Sequence, residues 1–230
     1  MPEPDPITLL IADDHPMLRE GVRAVVERQP DLVVIGEAAS VAETLSLLEP
    51  GRPLPSVLLT DITFGGRSGL ELIRDVRALH PSLPILVLSM HDEAIYGERA
   101  LGAGARGYVM KQAGSARLID AIRRVHAGEV VVSPALNQRL LLQSTGRRQD
   151  NAIHPVAGLS AREFEVFTLA GKGFDGPAIA LQLNLSVKTV DVHRMKIRRK
   201  LGLKNASELA QFAIQWTVSE HADATPDSGG

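Results

Sequence analysis

The chain has 230 residues, 44% of them hydrophobic and 23% charged, a formal net charge of −2 and no cysteine. That length suits two domains and the apolar fraction supports packed cores, while the missing thiols exclude disulfides, thiolate metal sites and cysteine nucleophiles. No apolar run approaches a membrane span, and the acidic, proline-rich start Met1-Pro2-Glu3-Pro4-Asp5-Pro6 is unlike a secretory leader, so a soluble, cytoplasmic protein without membrane contact is expected.

Five apolar runs read as strands: residues 7–12, 32–38, 57–60, 85–89 and 107–110. Helical patterns alternate with them near 17–29, 41–49, 69–80, 93–101 and 116–127. Strictly alternating strands and helices predict an α/β fold, a doubly wound five-stranded parallel sheet in the order 2-1-3-4-5. In that order the first and third strands are neighbours. The first ends in Asp13-Asp14 and the third in Asp61, so three carboxylates meet at the C-terminal rim of the sheet, where open α/β folds place their sites. Converging acids call for a divalent cation with oxygen ligands, most simply Mg²⁺.

Residues 128–158 lose this pattern and read as a linker, with a short helix possible at 136–142 and a polar stretch at 143–151. Beyond it the punctuation is all helical. Ser160-Ala161-Arg162-Glu163 is a capping box, Asp175 and Ser186 can cap two further helices, and Gly202 stops the second of these. Asn205 with Glu208 opens a last helix through Trp216, and residues 218–230 read as a disordered tail. A short helix, a tight turn and a longer basic helix make a helix-turn-helix inside a four-helix unit spanning 159–217. Charge divides in the same way. Residues 1–127 hold 13 Lys+Arg against 17 Asp+Glu, whereas 159–216 hold 9 against 5, so only the second half suits a polyanion.

These residues resemble a two-domain response regulator of the NarL/FixJ type, a receiver followed by a LuxR-type helix-turn-helix. The receiver-like stretches are Ala12-Asp13-Asp14-His15-Pro16, Asp61 with Gly69-Leu70-Glu71, Ser89-Met90-His91 and Gly104-Ala105-Arg106-Gly107-Tyr108-Val109-Met110-Lys111. The output-like ones are Leu159-Ser160-Ala161-Arg162-Glu163, Thr189-Val190-Asp191-Val192-His193 and Lys200-Leu201-Gly202-Leu203. The resemblance implies that Asp61 accepts a phosphoryl group from a histidine kinase. It implies Mg²⁺ held by Asp14 and Asp61, with Asp13 orienting and the Thr63 carbonyl adding a ligand. Lys111 would neutralise the phosphoryl oxygens, Ser89 would swing toward the new anion, and Tyr108 would repack behind it. His15 and His91 read as loop histidines. Phe64-Gly65 stands where the family usually has an apolar residue and proline, which loosens the loop beside the acceptor.

A period of 3.6 puts Val190, His193, Ile197 and Leu201 on the inner face of the third output helix. Lys188, Asp191, Val192, Met195 and Arg199 lie opposite, flanked by Arg194 and Arg198. Lys188, Arg194 and Arg198 suit phosphates, while Asp191, Val192 and Met195 would meet bases by the same resemblance, with Ser186 and Thr189 at the helix start. The expected partners are the kinase, a double-stranded DNA operator, a second copy of the chain when phosphorylated, and RNA polymerase. The expected product is a transcription regulator, not an enzyme. Two rivals stand beside it: a regulator that binds DNA regardless of phosphate, with a vestigial acidic site, and an aspartyl phosphohydrolase. The second rival lacks its general acid, because Thr63 occupies that place. Gly102-x-Gly104-x-x-Gly107 fits a dinucleotide fingerprint but leaves a helix for a strand, the reverse of a pyrophosphate cradle.

Overall fold

Apolar runs rich in Val, Ile and Leu suit the strands of a parallel sheet. In the computed structural model, which describes residues 5–64, 67–144, 155–183 and 185–223, they form β1 (Ile7–Ala12), β2 (Leu32–Ala38), β3 (Val57–Thr60), β4 (Ile85–Ser89) and β5 (Gly107–Met110). All pair in parallel, in the expected order β2-β1-β3-β4-β5. Ala12 pairs with Thr60, so Asp13 and Asp61 leave the sheet side by side.

Helices α1 (Pro16–Val26) and α5 (Ser115–His126) close one face over Leu9, Ile11, Leu59, Leu88 and Val109. The alternate residues Leu10, Leu58 and Ile85 are buried on the other face, beside α2 (Val41–Leu47), α3 (Gly69–Leu79) and α4 (Glu93–Ala103). Between β3 and α3 lies a feature the sequence reading lacks: Thr63–Phe64 and Arg67–Ser68 pair as an antiparallel hairpin. Gly69 lets this loop close. A Cβ there would stand 2.4 Å from the Asp61 carbonyl oxygen, and the Gly69 amide donates to the Ile62 carbonyl at 2.8 Å.

The chain divides into two compact units, residues 1–148 and 149–230. Much of the expected linker thus belongs to the first unit. Val131 forms a parallel bridge with Gly107 at the open edge of β5, accepting from the Tyr108 amide at 2.8 Å and donating to the Arg106 carbonyl at 2.9 Å. Then α6 (Pro134–Ser144), longer than the expected 136–142, packs on α4. Leu136 is buried there above Gly97, where a Cβ would come within 2.5 Å of the leucine side chain. The Ser133 amide donates to Glu93 at 2.8 Å and the Ser133 hydroxyl caps the new helix through the Leu136 amide. Edge pairing and helix packing explain why this segment is ordered: an open strand edge and an apolar patch on α4 are both covered.

The second unit holds α7 (Ala161–Gly171), α8 (Gly176–Gln182), α9 (Val187–Leu201) and α10 (Ala206–Asp223). Its core is aromatic. Phe164 meets Trp216 edge to face at 5.4 Å between ring centroids, and Phe167 touches both Trp216 and Phe212. The last helix runs past Trp216 to Asp223, so residues 218–223 of the expected tail are helical. The expectations for Gly65-Gly66, for residues 145–154 and for the tail beyond 223 lie outside the described residues.

The capping box at Ser160 is made in full: the Ser160 hydroxyl accepts from the Glu163 amide, and the Glu163 carboxylate accepts from the Ser160 amide at 2.7 Å. The same carboxylate takes Lys200 from α9 at 2.6 Å, so it ties the start of α7 to the end of the basic helix. Burial of Glu163 acts to raise its pKa, but the Lys200 contact and the capping amide outweigh it and hold the carboxyl below its usual value. This contribution to stability is complete above the ordinary glutamate range and is lost as pH falls through the lowered folded value. Glu163→Ala is therefore expected to cost the second unit about 1–2 kcal/mol at neutral pH. The difference from wild type should shrink on acidification. Thermal unfolding followed by Trp216 fluorescence between pH 7 and pH 4 measures both.

Candidate functional site

Strand ends deliver the charged residues. Asp13 and Asp61 are each 3% exposed, an expensive burial for carboxylates without a partner. The partner is Lys111, one residue beyond β5, whose Nζ donates to Asp13 Oδ2 at 2.8 Å and to Asp61 Oδ2 at 2.7 Å. Burial alone would push the ammonium pKa down, but the charges of Asp61 and Asp13 more than offset it and hold Lys111 above the ordinary lysine value. The other Asp61 oxygen accepts from the Ile62 amide at 2.5 Å. Three residues far apart in sequence are thus locked at one rim of the sheet.

His15 lies in the loop between β1 and α1, as expected, with its side chain largely exposed. The donor atoms of Asp13, His15 and Asp61 lie within 4.8 Å of one another, whereas Asp14 turns its carboxylate to His15 Nδ1 at 3.0 Å. His15 Nδ1 is also 3.0 Å from Asp13 Oδ1, and its amide donates to that same oxygen at 2.8 Å. Proline at position 16 holds His15 in extended backbone, φ −93° and ψ 107°, and the turn folds the imidazole back over the acid pair. Thr63 opens the hairpin beside Asp61 and pairs with Ser68. Two buried acids, an imidazole nitrogen and an oxygen-rich loop form a donor set that fits a divalent cation.

Ser89 ends β4 and is fully buried, its hydroxyl accepting from the His91 amide at 3.3 Å. Tyr108 already occupies the interior that the sequence reading has it move into. Its ring is 2% exposed, and its hydroxyl donates to the His91 carbonyl at 2.8 Å. Burial pushes the phenol well above its usual range, against the lowering hydrogen bond with Ser89. His91 lies against Tyr96 of α4, with ring centroids 4.7 Å apart and planes tilted by 33°. A chain of contacts therefore runs from Ser89 through His91 to Tyr108 and to Tyr96 of α4, and from α4 through Glu93 to the segment entering α6.

In the second unit Val190 and Ile197 are fully buried on the inner face of α9 and His193 is half-buried, as the periodicity requires. Burial lowers the His193 pKa, with the positive charge of Lys196 adding to it. Lys188, Asp191, Val192, Met195 and Arg199 are exposed on the outer face, Met195 at 53%. The Ser186 hydroxyl caps the helix through the Thr189 amide at 3.0 Å, and the two hydroxyls are 2.7 Å apart. Arg194 also makes a contact within the unit. It is half-buried and donates to the Phe174 carbonyl at 3.4 Å, which pins α9 to the turn before α8. Arg198 is half-buried as well.

The model of the response regulator receiver domain matches residues 9–123, and that of bacterial regulatory proteins of the luxR family matches residues 157–213. The oxygen regulatory protein NreC of Staphylococcus carnosus (strain TM300) is 34% identical over 211 residues, which cover 90% of this chain and 96% of that protein. NreC of Staphylococcus aureus (strain JH9) is 35% identical over 216 residues, covering 92% and 99%. Among solved structures, RcsB from Salmonella enterica serovar Typhimurium, bound to promoter rprA in the presence of the phosphomimetic BeF3−, superposes with a TM-score of 0.71 at 28% identity, covering 91% of this chain and 99% of that one. Another RcsB–DNA complex superposes with a TM-score of 0.70 at 29% identity over 91% of this chain.

Proposed function

The chain belongs to the two-component response regulators that join a receiver to a luxR-type DNA-binding domain, and from that premise we propose that phosphorylation of Asp61 by a histidine kinase controls its binding to an operator. The observation that carries this reading is Lys111 Nζ held between Asp13 and Asp61. A nucleophilic carboxylate and an ammonium at the same spot are what phosphoryl transfer asks of a protein, because the reaction needs in-line placement and charge neutralisation more than proton transfer. Asp61 Oδ2 attacks the phosphorus of a phosphohistidine, the P–N bond breaks, and its electron pair stays on the leaving imidazole. Lys111 follows the phosphoryl oxygens, exchanging one carboxylate partner for a group of greater charge. Mg²⁺, when bound by the acid rim, supplies neutralisation of those oxygens. Ser89 offers its hydroxyl to the new anion, and the contacts through His91 and Tyr108 convey the change to α4.

The outer face of α9 enters a major groove, N-terminus first. Lys188 and Arg199 meet phosphates, and Asp191, Val192 and Met195 meet base edges. The likeness to RcsB, solved on promoter DNA with a phosphomimetic, supports both halves of the reading. Phosphorylated copies pair on half-sites about one helical turn apart, in the cytoplasm, where RNA polymerase is within reach. Beryllofluoride with Mg²⁺ is expected to raise affinity for an operator selected from random DNA, measured by fluorescence anisotropy. Equal affinity with and without it would favour DNA binding independent of phosphate. Asp191 sets its own test. An acid facing the backbone repels phosphates yet can accept from cytosine N4, so Asp191→Ala should bind all sequences more tightly and discriminate less at one base pair, by about 1–3 kcal/mol.

A further inference from the structure

We propose that Arg19 is a positioning residue of the receiver rim: it fixes the peptide that joins Asp13 to Asp14, and so sets how tightly the acid pair takes a divalent cation. The inference rests on the reading of this rim as a cation-dependent phosphoacceptor and deepens it by naming what holds the acids in register. Arg19 lies near the start of α1 and is half-buried, its side chain 16% exposed. One guanidinium nitrogen donates to the Asp13 carbonyl at 2.6 Å, and Nε donates to Glu37 of β2 at 3.2 Å. Asp13 is held from its other side as well, since its amide donates to the Ala38 carbonyl at 3.0 Å.

A peptide unit is planar, so an oxygen fixed at one corner fixes the Cα of the next residue. The Asp13 carbonyl belongs to the peptide whose nitrogen is that of Asp14, and a guanidinium bound there dictates where the Asp14 side chain sets out. Glu37 steadies the guanidinium in turn. It stands opposite Ile11 in the sheet register and takes Arg23 on its other oxygen, so the arginine fork is anchored before it reaches the rim. The sign of the effect separates geometry from charge. A cation beside the rim opposes a second cation, so deleting the Arg19 charge by itself would tighten Mg²⁺. Losing the carbonyl bond frees the peptide and loosens the ion. Groups that orient metal ligands are worth about 10–100-fold in affinity, which outweighs the gain from removing a charge that Glu37 already neutralises.

Mg²⁺ binding to the full-length chain is measured by calorimetry for wild type, Arg19→Met and Arg23→Met, beside the rate of labelling by acetyl phosphate as Mg²⁺ is raised. Methionine keeps an aliphatic stem on α1 and removes the donors. Arg19→Met is expected to bind Mg²⁺ about tenfold or more weakly. Its labelling rate at saturating Mg²⁺ should stay within about twofold of wild type. Arg19→Lys, which keeps the charge but lacks the fork that spans both partners, should lose affinity in the same direction and decides the matter if the methionine variant unfolds. Arg23→Met takes a positive charge from the same Glu37 without touching the Asp13 carbonyl, and should bind Mg²⁺ as wild type does. In metal-free protein the Asp14 amide nitrogen resonance should move in Arg19→Met and stay in Arg23→Met. Unchanged or tighter Mg²⁺ binding in Arg19→Met overturns the inference, as does an equal loss in Arg23→Met, which would make the Arg19–Glu37–Arg23 cluster a general brace of the fold. An Asp14 resonance that stays in place overturns it too. The phosphoacceptor reading fails on a different result, a wild type that binds Mg²⁺ yet takes no phosphoryl group.

Discussion

Asp61→Asn is expected to abolish labelling of the chain by a small phosphodonor such as acetyl phosphate, by roughly a thousandfold or more, as loss of a covalent nucleophile does. The amide has no anionic oxygen to attack phosphorus, yet it is almost the same size and can still accept from the Ile62 amide. The receiver should therefore remain folded, which separates loss of chemistry from loss of structure. Lys111 would keep Asp13 as one carboxylate partner. Intact-mass measurement after incubation with donor and Mg²⁺ reads the result as the presence or absence of one phosphoryl group. Labelling of the Asn variant at the wild-type level would place the acceptor at another residue. Asp13→Asn provides the contrast. It keeps the nucleophile but removes one of the two charges around Lys111, so labelling should slow without disappearing.

Lys111→Ala is expected to have the largest effect on stability, and the effect should depend on divalent cation. With the ammonium gone, two buried carboxylates face one another with nothing between them. Removing one partner of a buried ion pair costs about 3 kcal/mol or somewhat more. Mg²⁺ or Mn²⁺ should restore most of this loss, since a cation at the rim neutralises the same oxygens. Wild type should gain much less from added ion. Thermal unfolding of both proteins with a chelator and with 10-fold steps of cation measures the difference, and similar gains in the two would break the argument. In wild type the sign of the pH dependence is also fixed. The raised Lys111 pKa means that its contribution is complete below the ordinary lysine value of 10.5 and fades as pH climbs through the higher folded value. Phosphoryl transfer by the variant should fall by about two to three orders of magnitude, the cost of losing a donor aimed at developing charge.

The sheet was legible to the residue because β1, β3 and β4 are mostly Leu, Ile and Val and run out into polar residues, and the ends of β1 and β3 carry the acid rim. The hairpin after Asp61 was less so. Its arms, Thr63–Phe64 and Arg67–Ser68, are two residues each, too short to display alternation. The docking of α6 depends on partners about 40 residues away: Gly97 leaves a recess for Leu136, and Glu93 accepts from Ser133. Neither residue announces that role in sequence. The hydrogen bond of Arg194 to the Phe174 carbonyl was hidden as well, because a periodic charged face gives no sign of a backbone acceptor 20 residues earlier. His15 shows the same limit at the site itself. Its neighbours in sequence are obvious, but only the turn made by Asp13 and Pro16 brings its ring onto them. The final helix outran expectation since no Gly or Pro interrupts residues 217–223.

The strap formed by Val131 and α6 changes what counts as a whole receiver. A fragment ended at residue 127 would bare the outer edge of β5 and the recess over Gly97 at once. Unpaired strand edges recruit other chains. Self-association of such a fragment would then report the cut edge, and a test of whether a phosphomimetic drives association needs a chain that continues through Ser144.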